Sequence, residues 1–168
     1  FDSFEGTNGG GGSFVLRETE STRMSTFQWR DSSEIETMSY MDLSNGSMVM
    51  KRVPSSSLYF EPDSFISWAN VSVLVELSST LSFGPNVNNQ APMILASIWV
   101  KQGGKIVCEG SCQFKIHGNV KVEGEISGTD DLHLQADGII VLASAAEVTG
   151  SNVYIQAVDV TLSDGATI

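Results

Sequence analysis

The sequence predicts an all-β protein: a parallel β-helix (β-solenoid) of short strands, coiled at about 20 residues per turn with essentially no helix. Three observations predict it. Leu132-His133-Leu134-Gln135-Ala136 recurs as Val153-Tyr154-Ile155-Gln156-Ala157, 21 residues later. Phe114-Lys115-Ile116-His117-Gly118 reads as an earlier, more diverged copy, beginning 18 residues before Leu132. Nearly every other segment alternates apolar and polar residues in short runs that end at Gly, Asn, Ser or Asp, and no window sustains a helical period.

In chain order, residues 1–13 form a Gly-rich leader or linker ending in Gly9-Gly10-Gly11-Gly12-Ser13. This tract has too little apolar surface to pack, and it lacks the Gly-Lys-Ser/Thr of a phosphate loop. The solenoid domain is expected over 14–168. Its first strands are Ser25–Arg30, Glu34–Met38, Tyr40–Leu43 and Ser47–Lys51. Pro54 and the following serines interrupt the pattern. Strands resume at Leu58–Phe60, Phe65–Trp68, Val71–Val75 and Ser79–Phe83. Gly84–Pro92 is the longest loop signal, read as one long loop on a continuous solenoid rather than a division into two halves because strand texture is unchanged on both sides. Met93–Trp99 and Lys105–Cys108 then lead into the repeats. There Leu132, Leu134, Val153 and Ile155 are expected to stack inward as an apolar ladder, with Gln135 and Gln156 stacking outward as an amide ladder. A β-sandwich also uses short strands, but the likeness of neighbouring segments favours the solenoid.

Composition narrows the function classes. Charged residues are 17% of the chain, below the usual figure of about 25%, and the surface is accordingly rich in Ser, Thr, Gly and Asn. Net charge is −11, and the nine basic residues form no stripe, so nucleic acid and anionic membrane surfaces are not expected partners. No run approaches a membrane span of about 20 apolar residues. The chain opens Phe1-Asp2-Ser3-Phe4 without an initiator Met, as a mature product or a segment of a longer protein would.

Cys108 and Cys112 lie in Cys-Glu-Gly-Ser-Cys. A local disulfide is the favoured reading over two free thiols. A zinc site lacks ligands, since only His117 is near, and the spacing is not Cys-x-x-Cys. Asn45-Gly46-Ser47 and Asn70-Val71-Ser72 are glycosylation sequons. Together with the acidic, Ser/Thr-rich composition and the cysteine pair they lead to the expectation of a chain outside a cell or on its surface.

Candidate chemistry is sparse. Asp130-Asp131, with His133 two residues on, is the best catalytic candidate, because glycoside hydrolysis uses paired carboxylates. Adjacent strand residues point to opposite faces, however, and Gly128-Thr129-Asp130-Asp131 reads as a turn. No acid or nucleophile partner is evident for His117, Lys115 and Lys121 read as solvated strand positions, and Trp29, Trp68 and Trp99 read as core or turn residues. No catalytic residue, metal or cofactor is assigned.

The stretch from Ser33-Glu34-Ile35-Glu36-Thr37 through Met48-Val49-Met50-Lys51, with the later copies, resembles the β-solenoid regions of large eukaryotic glycine-rich surface and filament proteins. The resemblance covers roughly residues 14–168, transfers no functional residue, and implies an extracellular structural role. Near the end, Asp164-Gly165-Ala166-Thr167-Ile168 keeps a strand-like pattern without an amphipathic cap. An uncapped solenoid templates further coils. The expected role is therefore a structural subunit of an extracellular filament or cell-surface appendage. It would associate head to tail with copies of itself or adjoin other segments of a longer parent chain, and it would carry N-glycans. The alternative is an adhesin or carbohydrate-binding rod that uses loops such as Gly84–Pro92. A polysaccharide hydrolase or lyase is the third reading.

Overall fold

The computed structural model describes residues 3–6, 12–16, 25–29, 32–43, 46–50, 55–68 and 71–168, with side chains described for most positions from Leu58 onward. The expected sequons at Asn45 and Asn70, and the glycines Gly9 to Gly11, lie outside the described residues.

In chain order the strands are β1 (Ser3–Gly6), β2 (Gly12–Leu16), β3 (Ser25–Trp29), β4 (Ser32–Leu43), β5 (Gly46–Met50) and β6 (Ser55–Ser67). They continue as β7 (Ser72–Val75), β8 (Ser79–Phe83), β9 (Met93–Leu95), β10 (Ser97–Val100), β11 (Lys105–Cys108), β12 (Cys112–Ile116) and β13 (Val120–Val122). The last are β14 (Glu125–Gly128), β15 (Asp131–Ala136), β16 (Ile139–Leu142), β17 (Glu147–Thr149), β18 (Asn152–Gln156) and β19 (Asp159–Leu162). The one helical element among the described residues is a short 3-10 turn at Val87–Gln90.

Every strand pairing is parallel, and consecutive strands never pair with each other. Three sheets result. Face A runs β1-β3-β5-β7-β10-β13-β16-β19, face B runs β2-β4-β6-β8-β11-β14-β17, and face C runs β9-β12-β15-β18. Strands β1 to β6 alternate between A and B; from β7 onward the chain visits A, B and C in turn and then climbs one coil of about 21 residues. This is a parallel β-solenoid. Parallel strands need a crossover connection, and here the other two sides of the coil supply it.

Alternation explains the strands. In β8 and β12 buried and half-buried residues alternate along the whole strand, and in β15 Leu132, Leu134 and Ala136 are the buried set. Parallel register then stacks like on like. On face A, Ile98, Val120 and Ile140 are aligned, as are Val100, Val122 and Leu142. On face B, Leu58, Leu81, Ile106, Ile126 and Val148 form one column. All of these residues are essentially inaccessible to solvent. Burying such a side chain contributes about 1.5–3 kcal/mol relative to exposure, so the columns are the main source of stability. Towards the N-terminal end the core becomes aromatic: Phe60 stacks on Phe83 at 5.5 Å between centroids, and Trp68 meets both edge-on.

Turns need close backbone approach. A Cβ on Gly104, at the corner between β10 and β11, would stand 2.7 Å from the Val75 carbonyl oxygen and 2.8 Å from that of Glu76, so only glycine fits. Residues 84–92 pack against β6: the Gly84 amide donates to the Phe60 carbonyl, the Asp63 amide donates to Pro85, and Val87 is buried. Asn88, in the left-handed region at φ 55°, lays its side-chain amide along the β6 backbone. Its Oδ1 accepts from the Ile66 amide at 2.6 Å and its Nδ2 donates to the Ile66 carbonyl at 2.8 Å. Asn88 thus does for Ile66 what a neighbouring strand would do. Within the segment read as a leader, β1 pairs in register with β3, and β2, which begins at its last two residues, pairs with β4.

Candidate functional site

Because inward positions are filled by the core, chemistry on this rod resides in the outward columns, where each coil adds one residue to a row. Neighbouring strands are about 4.8 Å apart, which brings outward side chains of adjacent coils into contact.

On face A the outward column is Leu74, Trp99, Lys121, Val141 and Thr161. Trp99 is 40% exposed, so the expectation that it packs in the core or a turn is corrected. It lies on the outer surface with Lys121 Nζ 4.9 Å and Lys101 Nζ 5.3 Å from its ring centroid. Both lysines are also anchored to carboxylates, Lys101 to Glu76 and Lys121 to Glu123. Trp68, by contrast, is buried as expected, and the side chain of Trp29 is outside the described set.

On face B the outward column is Thr80, Lys105, Glu125 and Glu147. Lys105 Nζ donates to Glu125 Oε2 at 2.6 Å. That hydrogen bond, and then the opposite charge, raises the Lys105 pKa; the same hydrogen bond is the leading cause of the lowered Glu125 pKa.

The corners carry further coil-to-coil pairs. His117 Nδ1 lies 3.0 Å from Asp137 Oδ2 one coil on, so His117 does have an acidic neighbour, in the next repeat rather than in its own segment. Cys108 and Cys112 are joined as a disulfide across the turn from face B to face C, with both residues buried. Asp131 Oδ1 accepts from Asn152 Nδ2 at 2.8 Å, and the Asp130 carbonyl accepts from the Ser151 amide. Among the described residues, no group of three or more His, Cys, Asp or Glu is arranged to hold a metal ion.

Face C gathers the residues of the repeated segment. Leu132 aligns with Val153 and Leu134 with Ile155 on the inner side, while Gln135 aligns with Gln156 on the outer side. Two outward columns run side by side: Ile94, Lys115, Gln135 and Gln156 in one, and Gln113, His133 and Tyr154 in the other. His133 and Tyr154 stack with centroids 4.3 Å apart and planes at 21°. Between the columns, with Pro92 at its edge, is a groove of about 450 Å3. A second, smaller hollow of about 250 Å3 lies at the Gly104–Gly124 corner beside Lys105, Glu125 and Glu147.

The paired Asp130 and Asp131 are therefore not set across a cleft from one another. Asp131 is tied to Asn152, and His133 is turned onto Tyr154 in the groove. The groove itself was not anticipated from the sequence, although aligning the copies at the observed register brings Gln113, His133 and Tyr154 into one column. Comparison with protein-family models, curated proteins and solved structures yields no match to this chain.

Proposed function

We propose that the chain is a structural segment of an extracellular filament or cell-surface appendage, extended by stacking further solenoid coils on its final coil. One observation carries this reading. Val160 and Leu162 continue the columns of Ile140 and Leu142, yet they are 39% and 54% exposed while their partners are fully buried. Val153 and Ile155 are likewise only partly covered at the end of face C. On face B, Thr167 forms a single bridge to β17, whereas β18 and β19 are the outermost strands of their sheets among the described residues. An edge with unpaired backbone groups beside apolar columns fits another coil in the same register, from a second copy or from further chain.

The extracellular assignment is supported by the Cys108–Cys112 bond, since such bonds persist in oxidising compartments. Sedimentation velocity over a concentration series, with electron microscopy of the same samples, tests the assembly. Wild type is expected to form longer rods as concentration rises, and Ile155→Asp, which puts a charge into the exposed end of an inner column, is expected to remain as single rods. Rods of one length at every concentration would refute end-to-end assembly.

A further inference from the structure

Several outward polar side chains on this rod bond to one another: Lys101 to Glu76, Lys105 to Glu125, Lys121 to Glu123, His117 to Asp137 and, at the start of the face C strands, Asn152 to Asp131. In the face C groove, Gln113, Lys115, Gln135 and Gln156 make no side-chain hydrogen bond or ion pair among the described residues. Lys115 contrasts in this with the other three lysines whose side chains are described.

We propose that this groove binds an uncharged, hydroxyl-rich carbohydrate chain lying along the rod axis. Each glutamine amide both donates and accepts, as does each sugar hydroxyl, so one column of amides serves any orientation of the hydroxyls it meets. The columns repeat every ~4.8 Å along the axis and are separated by ~6.6 Å, two residues along a strand. A lattice of evenly spaced hydrogen-bonding groups suits a polymer of like units rather than one compact molecule. The Tyr154 ring, 51% exposed and stacked on His133 of the preceding coil, adds apolar surface beside the amide column for the C–H groups of a sugar. The volume lies within the range of ligand sites, about 300–1,000 Å3.

Competing ligand classes fit less well. A polyanion meets a chain of net charge −11 with a single unpaired ammonium in the groove. An extended peptide recognises a sheet edge, whereas the groove lies across the face of β12, β15 and β18, and of these strands only β18 has an open edge. The groove shares β18 with the open last coil, so a stacked coil would lengthen the columns beyond Tyr154 and Gln156 while leaving their lateral face open.

Affinity gel electrophoresis of the full chain tests the proposal, using hydroxyethyl cellulose, laminarin and galactomannan as neutral probes and polygalacturonate as the acidic one. Retardation by at least one neutral glycan is expected. Gln135→Ala with Tyr154→Ala should weaken it by about tenfold or more, as removal of an aromatic anchor does. Both positions are exposed, so mobility in a glycan-free gel and the circular dichroism spectrum should be unchanged. Trp99→Ala, on face A, should bind as wild type does. Failure of every probe to retard the protein would overturn the proposal, as would equal retardation of the double variant. Retardation by polygalacturonate alone, lost in Lys115→Gln, would make the groove an anion site and overturn it equally.

Discussion

Leu142 and Leu162 offer a controlled comparison, because they are the same residue in the same column, one coil apart, and differ only in cover. Leu142 is 0% exposed and Leu162 is 54% exposed. Leu142→Ala removes buried methyl groups and leaves a cavity between fixed neighbours, at a cost of about 2–5 kcal/mol. Leu162→Ala leaves no enclosed cavity and forfeits less than half of the burial, so at about 0.8 kcal/mol per buried CH2 the loss is about 1 kcal/mol. Urea denaturation followed by far-ultraviolet circular dichroism measures both, at a dilution where sedimentation shows single rods. The gap should close at concentrations where rods associate, because a stacked coil would then bury Leu162 as fully as Leu142. Equal cost in single rods would refute the reasoning, since it would mean that the last coil is already covered. A negligible cost for Leu142→Ala would show that the column is misassigned.

Three further outcomes are expected. Asn88→Ala strips Ile66 of both partners for its backbone amide and carbonyl, and should lower stability by about 1–3 kcal/mol in the same urea assay. The Lys105–Glu125 pair contributes at most about 1 kcal/mol because it is largely solvent-exposed. Glu125 has its pKa lowered from about 4.5, so its contribution is present above that value and fades as pH falls through the folded-state pKa; Glu125→Gln should flatten this acid limb of a stability–pH profile and, because Glu125 is also what raises the Lys105 pKa, the alkaline limb with it. Lys105 has its pKa raised from about 10.5, so its contribution is full below that value and fades as pH rises through the folded-state pKa. Finally, removing the Cys108–Cys112 link as a Cys108→Ala/Cys112→Ala pair should cost about 2 kcal/mol, the figure for so short a loop. Because both cysteines are buried, thiol reagents should reduce the wild-type bond far more slowly in buffer than in urea, as alkylation and mass measurement would show.

The class of fold, a coil of about 20 residues and, in the strands whose side chains are described, the inward side were all legible in the alternation and the repeat. Alternation carries that information locally: Leu132, Leu134 and Ala136 are buried because they occupy every second place in an apolar–polar run. The 21-residue repeat from Leu132 to Val153 also matches the pairing. The earlier copy was misaligned. Phe114 pairs with Leu134 and Cys112 with Leu132, a step of 20 residues rather than 18. A shift of two residues keeps every side chain on its own face, so alternation is blind to it, and only volume matching and the turns on either side fix the register. Asn88 acting as a stand-in strand, Trp99 lying outside among lysines, and His117 meeting Asp137 share one cause. Each depends on a partner about a coil away, and which residue arrives there was decided by tertiary stacking, because a change of even one residue at a corner moves every outward contact above it.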